Sequence, residues 1–115
     1  MQSDRRKLKR RHLIYYSRVY DRANGKLMGH LMDITAEGVK LISEEPIEIN
    51  QTFQLRMDLP EDIIAKPYIF LDAKSMWCSP DVNPDFYNTG FRVYNMDPKD
   101  VELIDHMIDE YGFRD

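Results

Sequence analysis

Short strand-forming runs, each closed by a turn signal, recur through most of the chain and constrain its fold more than any other feature. Leu13, Ile14, Tyr15, Tyr16, Val19 and Tyr20 form the first run, and Asp21-Arg22-Ala23-Asn24-Gly25 ends it. Asn-Gly tolerates the positive φ angles of a tight hairpin, so a second strand is expected from Lys26 to Ile34. Strict alternation puts Leu27, Gly29, Leu31 and Asp33 on one face of it, with Asp33 in register with the apolar side but at the strand's end, where it can meet solvent or ligand. The loop Thr35-Ala36-Glu37-Gly38 leads into a third strand, Val39 to Ser43. A turn at Asn50-Gln51 precedes a fourth, carried by Phe53, Leu55 and Met57, and Pro60 to Pro67 reads as a loop. In the fifth, Ile69 to Cys78, the residues Ile69, Leu71, Ala73, Ser75 and Trp77 share a side. The sixth, Phe86 to Asn95, contains Gly90, which marks a bulge or a close backbone approach. Strands spaced this way favour an antiparallel barrel or sandwich over any parallel fold.

The period then changes. Val101, Ile104, Ile108 and Tyr111 recur at three and four residues and define the apolar stripe of a C-terminal helix. Asp97 is its expected N-cap, Pro98 its first residue and Gly112 its C-cap. The carboxylates Asp97, Asp100, Asp105, Asp109 and Glu110 are read as its solvated face.

Charge divides the chain differently. Residues 1–22 hold Arg5, Arg6, Lys7, Lys9, Arg10, Arg11, Arg18 and Arg22 against Asp4 and Asp21, for +6, whereas the remaining 93 residues carry −10. The segment 1–12 therefore reads as a flexible basic arm on an acidic body, residues 13–115, suited to solvation or to an anionic partner. A net charge of −4 argues against an extended nucleic-acid polymer. A compact phosphorylated ligand that touches only the arm suffers less, because exposed charges are screened over about 8 Å at physiological salt.

At 115 residues the chain can bury a core without disulfides or a structural metal. Its single cysteine, Cys78, lies between Met76-Trp77 and Ser79 and reads as a buried, unreactive thiol in a reducing compartment. No apolar run approaches the roughly 20 residues that span a bilayer, and no signal-peptide core follows the charged start, so a cytoplasmic protein without membrane insertion is expected. His12, His30 and His106 fall on three different elements, without metal-ligand spacing. Cys78 has no adjacent base, and the five glycines form no phosphate cradle, so neither a metal site nor an enzyme is expected, and no cofactor is implied.

Two constellations remain. Arg5-Arg6-Lys7-Leu8-Lys9-Arg10 places Arg6 and Arg10 four apart just before the first strand, and guanidinium forks match phosphates and the O6/N7 edge of guanine. Asp33-Ile34-Thr35-Ala36-Glu37-Gly38 sets a carboxylate, a hydroxyl and bare backbone at a strand end. A carboxylate there can accept N1–H and N2–H of a guanine, although such a hexapeptide also serves as a turn bonded to its own backbone.

In this order and spacing the two resemble the signature of the PilZ domain family, RxxxR followed by (D/N)xSxxG, and Gly90-Phe91-Arg92-Val93 resembles that family's late glycine-containing strand. The resemblance implies a mainly β fold, a six-stranded antiparallel barrel with a C-terminal α-helix. It also implies a receptor for cyclic di-GMP, a bacterial second messenger. Arg6 and Arg10 would clasp the ligand, Asp33 and Thr35 would address a guanine edge, and Gly38 would allow close approach. Arg5 extends the first motif, as in relatives that hold two intercalated ligand molecules. Thr35 replaces the usual Ser, which implies an extra methyl that would crowd the base and bear on affinity. The output expected is ordering of the arm and signalling to an effector protein. A ligand-independent interaction module with the same barrel, or a small barrel that binds nucleic acid through the arm, are the competing readings.

Overall fold

The computed structural model describes residues 17–35, 37–59 and 66–111. Within them lie β1 (Arg18–Asp21), β2 (Leu27–Ile34), β3 (Gly38–Ser43), β4 (Thr52–Asp58), β5 (Tyr68–Pro80), β6 (Tyr87–Tyr94) and the helix α1 (Pro98–Tyr111). The six strands pair antiparallel and close into a barrel in the order β1-β2-β3-β6-β5-β4. Closure leaves no free edge among the described strands to template aggregation. Of the expected first strand, residues 13–16 lie outside the described part, as does the arm.

The β1–β2 connection is looser than a two-residue hairpin. Only Gly25 takes a positive φ, 73°, while the Asp21 carboxylate accepts from Ala23 N–H and the Asn24 side chain accepts from Lys26 N–H. These local bonds widen the turn to residues 22–26, so β2 begins at Leu27 rather than Lys26.

Inward positions alternate along each strand: Leu55 and Met57 on β4, Ile69, Leu71 and Ala73 on β5, all at most 1% exposed. Phe53 and Phe91 meet edge to face at 5.9 Å between ring centroids. The helix contributes the fully buried Ile104 to the same cluster, worth about 1.5–3 kcal/mol of apolar burial for a side chain of that size. Its start follows the sequence: the Asp97 carboxylate accepts from Lys99 N–H at 2.9 Å, and Pro98 occupies the first turn. Asp100 departs from expectation. It is only 5% exposed, not part of a solvated face, and its carboxylate pairs with Lys66 Nζ at 2.6 Å, fastening the helix start to the segment that leads into β5.

Two bulges shift the side-chain phase. In β2, Leu31 faces Leu41 but Asp33 faces Lys40, so Met32 is the extra residue. In β5, Ser75 faces Phe91 but Trp77 faces Gly90, so Met76 is the extra one. A bulge moves every later side chain to the opposite face. Asp33 consequently leaves the apolar face on which alternation placed it, and Trp77 leaves the side it was expected to share with Ser75; both point outward. Trp77 and Met76 are each 44% exposed, and Cys78 beside them is half-buried, with Thr89 Oγ1 donating to its sulfur at 3.3 Å.

Candidate ligand-binding groove

The two bulges assemble one surface. On the outside of the barrel Asp33 faces Lys40, Lys40 faces Gly90 and Gly90 faces Trp77, a row across β2, β3, β6 and β5. The neighbouring row runs Gly38, Arg92, Lys74. A groove of about 370 Å³ lies over them, lined by Asp33, Thr35, Gly38, Lys40, Trp77 and Arg92 among others. That volume is at the lower end of small-molecule sites.

Gly90 is what lets the aromatic wall form. The Trp77 indole lies across its Cα, and a Cβ built there would reach Cζ2 at 2.8 Å, with two further indole atoms nearer still. The glycine was expected to mark a bulge in β6 or a close backbone approach; instead β6 runs without a shift against β3, the bulge lies opposite on β5, and the approaching group is a side chain. Gly38 is similarly restricted, since an added Cβ would lie 2.9 Å from the Phe91 carbonyl oxygen.

The loop after β2 is held by its own polar groups. Asp33 Oδ1 accepts from Ile34 N–H at 2.9 Å, which fixes the carboxylate while leaving its other oxygen toward solvent. Thr35 Oγ1 accepts from Glu37 N–H and Gly38 N–H, both at 3.2 Å, and Thr35 N–H donates to the Gly38 carbonyl at 2.9 Å. The hydroxyl of Thr35 thus closes the loop that aims Asp33 and Gly38 at the groove. Arg92 lies with its guanidinium 5.7 Å from the Tyr94 ring centroid.

Asp33, Thr35 and Gly38 are therefore brought together. Arg5, Arg6 and Arg10 lie outside the described residues. Trp77, Lys40 and Arg92 were not anticipated as site residues: Trp77 was assigned to the wrong face, and the two cations had no signal apart from strand register. Among the described residues no three His, Cys, Asp or Glu side chains gather as a metal site, and no helix is long and apolar enough to cross a membrane.

The PilZ domain model matches residues 4–110, nearly the whole chain. The chain belongs to the PilZ family. PilZ domains are binding modules, and the groove lies where the family's second motif meets the barrel wall. Among solved structures, the Bacillus subtilis inhibitor of motility MotI/DgrA is similar, with a TM-score of 0.64 at 13% identity, over 81% of this chain and 47% of that one. At that identity the likeness is one of fold, and this chain spans about half the neighbour's length. No curated protein matches the sequence.

Proposed function

We propose that the protein is a cyclic di-GMP receptor that acts as an adaptor without catalysis of its own. The observation that carries this reading is the convergence of Asp33, Thr35 and Gly38 with an exposed indole and two cations in one outward-facing groove. The ligand offers what these groups recognise: guanine planes for Trp77, N–H donors for Asp33, and two phosphates for cations. Base stacking on an aromatic side chain contributes about 1–3 kcal/mol, and a hydrogen bond to a charged group about 1.5–3 kcal/mol.

In this reading Arg6 and Arg10 close over the docked ligand, and Arg5 favours a second, intercalated molecule. The ordered arm then forms part of the surface that an effector protein reads, a local charge event with a larger readout. The neighbour's description as an inhibitor of motility fits an output through a partner. The protein acts in the cytoplasm, where such a messenger is found.

Calorimetric titration of the full chain tests this. Saturable binding is expected, and Asp33→Ala and Arg10→Ala should each weaken it by about 10- to 150-fold. The ligand-to-chain ratio at saturation separates one bound molecule from two. Absence of saturation at micromolar messenger, or variants with unchanged affinity, would overturn the reading in favour of a ligand-independent interaction module.

A further inference from the structure

We infer that Lys40 is a specificity-determining residue, which with Asp33 forms a two-point reader for the edge of guanine; this rests on the function proposed above. Asp33 and Lys40 are directly opposed across β2 and β3, so their Cβ atoms stand about 4.5–5.5 Å apart. Opposite charges so placed would ordinarily pair, yet no ion pair joins them in the structure. The Asp33 carboxylate is instead turned by its bond from Ile34 N–H, and Lys40 is half-buried and lines the groove, with no partner for its ammonium among the described residues. An acceptor and a donor are therefore held side by side, each with unused capacity.

Guanine matches that order of groups. Its N2–H and N1–H donate, and immediately beside them O6 accepts, followed by N7. With N1–H and N2–H on the Asp33 carboxylate, O6 falls on the side of Lys40. The next position in the row is Gly90, covered by the Trp77 indole, so the plane that supports the base is continuous with the groups that read its edge. Adenine inverts the pattern: its N6 amine would face the Lys40 ammonium and its N1 lone pair the Asp33 carboxylate. Both contacts would then leave polar groups mismatched in a desolvated site, the arrangement that produces strong discrimination. Arg92 is not equivalent, because it occupies the adjacent row and lies beside Tyr94.

Titration of the full chain and its Lys40→Met and Lys40→Arg variants with cyclic di-GMP, cyclic di-IMP and cyclic di-AMP, the last by competition, tests the assignment. Cyclic di-IMP lacks the N2 amine but keeps O6 and N7. Lys40→Met should lose about tenfold or more for both guanine-like ligands and nothing for cyclic di-AMP, collapsing the discrimination. Lys40→Arg should retain most of it. An equal loss for all three ligands would make Lys40 a phosphate contact, and no loss would make it a solvated side chain; either overturns the inference while leaving the receptor reading intact. Failure of the wild-type chain to bind cyclic di-GMP would instead overturn both.

Discussion

Gly90 and Trp77 act as one unit, because a hydrogen in place of a side chain on β6 is what allows an indole on β5 to lie flat. Adding a methyl group at Gly90 drives it into the ring, and a ring that projects from the outer surface can swing away at little cost to the barrel. Gly90→Ala should therefore keep the fold but displace the platform. Trp77 is the single tryptophan of the chain, so its emission reports that displacement without ambiguity. In the wild type, cyclic di-GMP should quench Trp77 fluorescence. In Gly90→Ala the quench should shrink and affinity should fall by about 5- to 150-fold, the range expected when a base loses its stacking partner. Wild-type affinity in Gly90→Ala would mean that the indole is not part of the site. Thr35 acts at the same scale through the backbone, since its hydroxyl is engaged with Glu37 and Gly38. A serine offers the same bonds, so the substitution within the motif preserves the loop.

At the level of elements, β5 is tied to the connection that precedes β4 by one buried serine. Ser75 Oγ donates to the Glu48 carbonyl at 2.6 Å and accepts from Gln51 N–H at 3.1 Å, pinning the connection between β3 and β4 against the strand that carries Trp77. Ser75→Ala would remove both bonds made by this fully buried hydroxyl, at a cost of about 1–3 kcal/mol, or roughly 4–12 °C in Tm. Thermal unfolding followed by circular dichroism checks this, and an unchanged Tm would show that water replaces the hydroxyl freely. The strands themselves were legible in the sequence because alternation and turn chemistry are local: Ile69, Leu71 and Ala73 point inward as their spacing demands. Met32 and Met76 were not legible as bulges. An extra residue is defined by the partner strand, and β3 and β6 reveal their register only in three dimensions. Asp33 was recognised through its motif despite the wrong face, whereas Trp77 had no motif and was assigned to the interior. Asp100 was misread for a related reason: helical spacing cannot show that Lys66, 34 residues earlier, covers it.

Over the whole molecule, the distribution of engaged and unengaged cations bears on where an anion is drawn. On the surface formed by β1, β4 and β5, Arg22 lies 3.8 Å from the Phe70 ring centroid, and Arg56 lies 4.4 Å from that of Tyr20 and 3.3 Å from Asp58. Lys66 is held by Asp100. Lys40, which lines the groove, and Lys74, in the row beside it, have no such partner among the described residues, so uncommitted positive charge stands at the groove on an otherwise acidic body. An arm bearing Arg5, Arg6, Lys7, Lys9, Arg10 and Arg11 would be repelled from that spot unless an anion neutralised it. The phosphates of cyclic di-GMP would serve as that anion, which makes arm docking conditional on ligand. Limited trypsin digestion measures the condition, because the arm is dense in cleavage sites, while Arg22 and Lys26 in the exposed β1–β2 turn provide an internal control. Saturating cyclic di-GMP should slow cleavage within residues 5–11 severalfold and leave cleavage at Arg22 and Lys26 unchanged. Raising the salt concentration should weaken the protection, since part of it is electrostatic. Equal cleavage rates in the arm with and without bound ligand would show that the groove holds the messenger alone and that the effector must read the barrel surface itself.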